Sequence, residues 1–338
     1  MQQHSTVLVT GAGGFLGGNL IRLLLAQGHR VRACIRSDDR SVRGLDVQIT
    51  TGDVTNIDDM RAATNGIETV YHCAALISIE GDRTGMVSNT NIKGPGIVAQ
   101  ACLENGVKRL VHVSSVHSLH PEPNTPIDEE RNLVPIDYWS AYARTKAEGE
   151  RQILQAVEQG LDAVIVNPSG LIGPFDFKPS LLGQLLIQLY TRSIPALVSA
   201  GYDFVDVRDV AGAMITAAER GRKGERYLLT GRFRTLTELA QLQYEHLHER
   251  APRMICPIWL ARASAPLAVA WGRLTRTRPL YTPESIRIVC DNAIFDTSKA
   301  RKELDYHPRP FEETLQDTWN WMAFDDPDGP FQSQFGPR

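Results

Sequence analysis

The chain has no basic excess. Its net charge is −3 over 338 residues, with lysine and arginine scattered rather than gathered into blocks. A protein that grips nucleic acid through its phosphates needs the opposite balance, so nucleic acid is excluded as the main partner. Cysteine supports neither a metal centre nor a disulfide framework. Cys34, Cys73, Cys102, Cys256 and Cys290 are widely spaced, odd in number and form no CxxC pair. They read as buried reduced thiols, and no metal is expected. The start, MQQHSTVLVTG, lacks the charged and apolar segments of a secretory leader, which makes a cytoplasmic location the expectation. Long hydrophobic runs are missing too. The most apolar later stretch, ICPIWLARASAPLAVAWG at 255–272, is interrupted by Arg262 and two prolines. It falls short of the roughly 20 residues a membrane span needs. A helical lid or core helix is favoured there over an interfacial membrane anchor, and no span is predicted.

What is present is apolar material, 42% hydrophobic against 22% charged, enough for a substantial core and too much for disorder. Short apolar β-branched runs alternate with helical patterns through the first half. STVLVTG, HRVRACIR, VQITTGD, TVYHCAA, RLVHVSS and DAVIVNP read as strands, with helices between them. Such alternation predicts an α/β fold, a doubly wound parallel sheet of Rossmann type, with strands buried on both faces. Residues 1–169 read as the dinucleotide-binding part, joined by part of 201–224. Residues 170–322 read as a smaller, mostly helical substrate-binding region, with a further strand and helix in NAIFDTSKARKELDY. The Pro- and Gly-rich 323–338 reads as a tail.

In VTGAGGFLGGNL, Gly11, Gly14 and Gly17 spell GxxGxxG between a strand and a helix. Glycine permits a tight turn and lets backbone N–H groups approach a pyrophosphate, which the helix dipole also favours. The residue that reads the adenosine ribose is expected at the end of the second strand. There, in ACIRSDDR, stands Arg36 rather than an acid. An arginine suits a 2′-phosphate, so NADP is favoured over NAD, with Asp38 and Asp39 as competing ribose partners. Asp53, after the third strand, reads equally as an adenine contact and as a helix cap.

SAYARTKAEGE puts Tyr142 and Lys146 four apart on one helix face. A tyrosine near pKa 10 is a poor acid or base at neutral pH, and a neighbouring lysine cation is expected to lower it. HVSS places Ser114 and Ser115 at the carboxyl end of a strand, where open α/β sheets bind ligands.

TGAGGFLG, GD at 52–53, HCAA at 72–75, VSS at 113–115, YARTK at 142–146 and NPSGLIGP at 167–174, in that order, resemble the extended short-chain dehydrogenase/reductases. FVDVRDVA and FDTSKARKELDYHPRP extend the likeness over residues 6 to 322. VRACIRSDD and GERYLLTG most resemble the dihydroflavonol reductase and 3β-hydroxysteroid dehydrogenase branch. The resemblance implies that Tyr142 exchanges a proton with the substrate oxygen, Lys146 holds the nicotinamide ribose, and Ser115 holds the carbonyl oxygen, with Ser114 the alternate. The cofactor set it implies is Gly11, Gly14, Phe15, Leu16, Gly17, Arg36, Asp53, Val54, Ala74, Ala75, Lys146 and Pro168. Two departures stand out. Asn167 replaces the arginine that often precedes the proline, and His117 and His120 follow the serines where sugar-nucleotide epimerases show VYG.

The leading expectation is an NADP(H)-dependent reductase of a hydrophobic ketone or aldehyde, or oxidant of a secondary alcohol, with His117, Phe175, Phe177 and Tyr190 as substrate-pocket candidates. A nucleotide-sugar epimerase or dehydratase using the same triad is the alternative. It would need a basic clamp in the second half, for which Arg192 and Arg232 are candidates. A dinucleotide sensor without chemistry is a third, opposed by the intact Ser115, Tyr142 and Lys146. The helices over 92–105 and 140–158 are candidates to pair in a homodimer.

Overall fold

The computed structural model describes residues 6–325, apart from 79, 80, 83, 123, 124, 195, 196, 199, 249–254, 276–280 and 290–293. The first strand, β1 (Thr6–Thr10), leads through the glycine loop into α1 (Phe15–Ala26), which Gly28 closes with φ 83° and an N–H to the Leu25 carbonyl. There follow β2 (Arg30–Ile35), β3 (Gln48–Thr51), α2 (Ile57–Thr64) and β4 (Thr69–His72). A short α3 (Met86–Ser88) runs through a π-turn into α4 (Gly94–Glu104), and then come β5 (Arg109–Val113), α5 (Ala141–Glu158) and β6 (Ala163–Pro168). Only Ser169 separates β6 from β7 (Gly170–Ile172). Beyond lie α6 (Leu181–Tyr190), β8 (Leu197–Val198), β9 (Gly201–Asp206), α7 (Val207–Arg220), β10 (Arg226–Leu229), β11 (Arg232–Thr235) and α8 (Leu236–His246). The described chain ends with β12 (Ile255–Cys256), α9 (Ile258–Thr275), α10 (Pro283–Val289), α11 (Ser298–Leu304), α12 (Phe311–Asn320) and a π-turn over Trp321–Asp325.

Seven strands form one parallel sheet in the order β10-β6-β5-β4-β1-β2-β3. The order reverses between β1 and β4, which is the switch point where such sheets open a crevice. Alternate side chains feed two cores, as the period of a strand requires. Val7 and Val9 of β1 and Val164 and Val166 of β6 join α1, α7 and α11 on one face. Leu8, Ala163 and Ile165 join α2, α4 and α5 on the other. The expected Rossmann-type sheet is therefore what the chain forms, and its apolar runs exist because both faces are covered.

The small sheet β11-β9-β7 lies outside this frame. With α6, α8 and α12 it encloses a third core around Leu186, Leu189, Phe204, Leu239, Leu315 and Trp319. Helix α7 then returns to pack on α1, and β10 completes the edge of the large sheet. The strand expected in NAIFDTSKARKELDY shrinks to one bridge, Phe295 beside Ile127, while residues 290–293 lie outside the described part. The π-turn over Trp321–Asp325 buries Trp321 and Met322 in the third core and carries the helical backbone into the first residues, 323–325, of the expected tail. Residues 326–338 lie outside the described residues.

Candidate active site

The carboxyl ends of the large sheet gather the motifs that the sequence scatters. Gly11 follows β1 with φ 70°, and a Cβ there would lie 2.6 Å from the Ala74 nitrogen beyond β4. A Cβ at Gly17 would lie 2.3 Å from the Gly11 carbonyl oxygen, so any side chain would push α1 off the loop. Gly14 caps α1 in extended conformation, and no acid stands in the first turn, where Phe15, Leu16 and Gly17 present backbone N–H groups. A bare helix start of this kind fits a diphosphate.

Beyond β2, Arg36 is exposed. The two carboxylates after it are engaged elsewhere: Asp38 pairs with Arg40 at 2.7 Å and Asp39 with Arg43 at 2.8 Å. The Arg40 hydrogen bonds hold Asp38 down at about 2. Asp53 accepts from the Thr55 backbone N–H at 2.9 Å and from its hydroxyl at 2.7 Å, and these bonds, with the nearby Arg36 charge, keep its carboxyl below the usual range. The cap of α2 is Asn56 rather than Asp53. Val54 is buried against Gly94, Ala75 is exposed beside half-buried Ala74, and Pro168 ends β6 buried beside Leu229.

Between β5 and α5 the structure separates the two serines. The Ser115 hydroxyl accepts from the His117 backbone N–H at 3.2 Å and acts on the Tyr142 phenol, favouring its ionised form. Ser114 instead reaches the Ser118 hydroxyl at 3.3 Å and is buried. Helix α5 is fixed at its start by Ser140, whose hydroxyl accepts from the Ala143 N–H and donates to Glu284 of α10 at 2.6 Å. That cap sets Tyr142 and Lys146 over the end of β5.

The electrostatics differ from the expectation that Lys146 pulls Tyr142 down. Burial raises the Tyr142 phenol above its ordinary value, with Ser115 opposing. The Lys146 ammonium donates to the Val113 carbonyl at 2.6 Å, which directs it toward the strand end. Burial lowers Lys146 itself to about 8, against the pull of Glu150 and Cys73. Tyr142 thus keeps its proton at neutral pH, the state of a proton donor.

Below the pair lies a polar network that the motifs do not announce. Glu150 is one turn beyond Lys146 on the same face of α5, fully buried, and paired with Arg226 of β10. Its other oxygen accepts from Ser118 and Asn167, both at 3.2 Å. Asn167 and Ser118 also donate to the Ser115 carbonyl, at 3.1 and 2.8 Å. Asn167, the departure before the proline, therefore fixes the backbone that carries Ser115. The spacing Tyr142, Lys146, Glu150 was the available signal. Beside it, His72 and His112 stack at 5.3 Å in the sheet. Burial lowers His72 to about 3, so it remains neutral at physiological pH.

A cleft lies at the start of α5, lined by Ser140 and Ala143 of that segment and by His117, Tyr138, Trp139, Tyr202, Phe233 and Ile288 among others; Ser115, Tyr142 and Lys146 are not part of its wall. His117 meets the Tyr142 ring edge-on at 6.4 Å, and burial lowers its imidazole to about 4. At the cleft wall Asp203 accepts from Ser169 at 2.6 Å and from the Gly231 N–H at 2.7 Å, and burial raises its carboxyl. Phe175 and Phe177 sit elsewhere, against Trp321 and beneath the Arg22 guanidinium. Tyr190 ends α6, half-buried. Neither Arg192 nor Arg232 lines the cleft. Among the described residues no cluster could hold a metal ion, and no helix is long and apolar enough to cross a membrane.

Comparison with known proteins agrees with this geometry. Residues 7–229 match the model of the NAD dependent epimerase/dehydratase family. The chain is 36% identical over 322 residues to sterol demethylase protein B of Methylococcus capsulatus, covering 94% of this chain and 98% of that one. It is 30% identical over 309 residues to the 4-hydroxy-2-methyl-3-oxo-4-farnesyl-3,4-dihydroquinoline-1-oxide ketoreductase of Stigmatella aurantiaca, covering 89% and 91%. The crystal structure of gox2253 superposes with a TM-score of 0.82 at 30% identity, covering 94% of this chain and 98% of that one. Family match, sheet order and strand-end site converge: the chain belongs to the NAD-dependent epimerase/dehydratase family, as an NAD(P)-dependent enzyme of the extended short-chain dehydrogenase/reductase type.

Proposed function

We propose that this enzyme interconverts an apolar ketone or aldehyde and the corresponding alcohol with NADP(H). The observation that carries the reading is Tyr142, kept protonated by burial with Ser115 opposing, on the helix whose Ser140 and Ala143 flank an aromatic-walled cleft. The dinucleotide, when bound, supplies or accepts the hydride. Ser115 and Tyr142 together present two hydroxyl donors to one substrate oxygen, stabilising the charge that develops there. Tyr142 releases its proton to that oxygen in reduction and recovers it in oxidation. Lys146 would hold the ribose of the dinucleotide. Gly11, Gly14, Phe15, Leu16 and Gly17 would hold its diphosphate, Asp53, Val54, Ala74, Ala75 and Pro168 would flank it, and His117 lines the cleft.

The apolar substrate class draws support from Tyr138, Trp139, Tyr202, Phe233 and Ile288 in the cleft, and from relatives named for a sterol and for a farnesyl-bearing ketone. The test is reduced-nicotinamide absorbance in a screen of apolar ketones, polar aldehydes and sugar nucleotides, with product analysis for epimerisation. Turnover of apolar ketones is expected; epimerised sugar nucleotide with no ketone turnover overturns the reading.

Arg36 carries the cofactor preference. Arg36→Ala should weaken NADPH binding by about tenfold or more and leave NADH binding nearly unchanged, because only the former carries a 2′-phosphate. Fluorescence titration of both cofactors decides it; an unchanged NADPH affinity removes the phosphate role.

The pH dependence follows from Lys146. Its charge is lost as pH rises through about 8, so kcat/KM for ketone reduction should fall above that pH. The free-enzyme profile reads this directly. A profile flat from pH 7 to about 10 would show that the lysine charge is dispensable.

A further inference from the structure

Helix α9 is built the wrong way round for a helix packed only on its own protein. Its inward residues are small: Ala261 and Ala265 are buried against Ile286 of α10. Its large residues face out, with Trp259 69%, Leu267 72%, Trp271 67% and Leu274 78% exposed. The positions 259, 263, 267, 271 and 274 follow the helical repeat, so they form one stripe along about 22 Å of helix. Leu260 and, before the helix, Ile255 extend the apolar surface. Contiguous exposed apolar area of this kind marks a contact surface rather than ordinary surface scatter.

The composition of the segment that carries the stripe selects the occupant. Residues 251–280 contain five arginines and no aspartate or glutamate, in a chain whose net charge is −3. Arg262 is exposed on α9 itself. An apolar helix face ended by tryptophans and accompanied by arginine without any acid fits the boundary of an anionic bilayer: tryptophan settles at headgroup depth and arginine meets lipid phosphate. No helix among the described residues is suited to spanning, so α9 would lie in the surface plane. We propose that α9 docks this enzyme on an anionic lipid surface. The placement has a use, because α10, on which α9 packs, supplies Ile288 to the cleft. The lipid-facing stripe and the cleft are thereby separated by a single layer of helix.

The experiment is co-sedimentation of the full chain, without cofactor or substrate, with vesicles of phosphatidylcholine alone or mixed with phosphatidylglycerol. It stands apart from the redox reading, since no turnover is measured. Binding to the phosphatidylglycerol vesicles is expected, weakening with salt, and Trp259→Ala/Trp271→Ala should reduce it by about tenfold or more. Leu267→Glu should abolish it, while both variants keep the wild-type melting temperature and NADPH affinity. Wild-type protein that stays in the supernatant with both vesicles overturns the proposal, as does unchanged binding by the double tryptophan variant. A concentration-dependent dimer that Leu267→Glu dissociates, in protein that ignores vesicles, would assign the stripe to a second copy instead and equally overturn it.

Discussion

Tyr142→Phe is expected to bind reduced dinucleotide as the wild type does and to turn over ketone about 10²- to 10⁴-fold more slowly, the range that a positioned proton donor contributes. The substitution removes one hydroxyl and keeps the ring that meets His117. No neighbouring group replaces the lost proton well. The Lys146 ammonium is directed at the Val113 carbonyl. His117 is lowered to about 4, so it is neutral at neutral pH and its remaining ring N–H is far too weak an acid to replace the phenol. Ser115 remains as a hydrogen-bond donor, but its hydroxyl is a much weaker acid than a phenol. Single-turnover reduction, followed by nicotinamide absorbance beside a binding titration, separates the two effects. Wild-type turnover by the phenylalanine variant would dismiss Tyr142 as the donor, whereas an equal loss of cofactor affinity would show that the ring position, not the proton, had been disturbed.

The second large effect is on stability. Arg226→Ala should cost about 3–5 kcal/mol, since it strands the fully buried Glu150 carboxylate without its cation. Ser118 and Asn167 still donate to that carboxylate and Lys146 still attracts it, but none of these replaces the direct ion pair with the guanidinium. Replacing both members, as Glu150→Leu with Arg226→Met, should recover much of the loss, because the desolvation penalty vanishes with the charges. Urea unfolding of the two variants and the wild type reads the difference. The recovered double variant should nevertheless reduce ketone more slowly, as Asn167 and Ser118 would lose the acceptor that orients them under the Ser115 carbonyl. A single variant as stable as the wild type would mean that the ion pair is worth nothing here.

The large sheet was legible because its strands are buried on both faces, and burial on both faces writes uninterrupted runs such as VIVN and RLVHV into the chain. The glycine loop and the Tyr142–Lys146 spacing were legible because each is local: a turn, and one helix face. What escaped was assembled across distance. Glu150, Asn167 and Arg226 meet from α5, β6 and β10, and nothing in the spacing of two strands and a helix announces that contact. The cleft wall likewise draws Tyr138, Tyr202 and Ile288 from separate segments. Phe175 and Phe177, apolar and close to the NPSGLIGP motif, have a different occupation. Phe175 turns with φ 69° and lies under the Arg22 guanidinium, so these aromatics join the first helix to the third core.

The chain leaves the large sheet after β6, builds the small sheet, and returns through α7 to lay down β10 as the last strand of the large one. The two halves are therefore interlaced along the sequence, and a cut after residue 169 would not yield a self-sufficient cofactor-binding piece. It would strip Val207, Val210, Met214 and Tyr227 from the first core and remove Arg226 from Glu150. Altered substrate choice in this scaffold is better sought by resurfacing the cleft wall in place than by exchanging whole C-terminal halves.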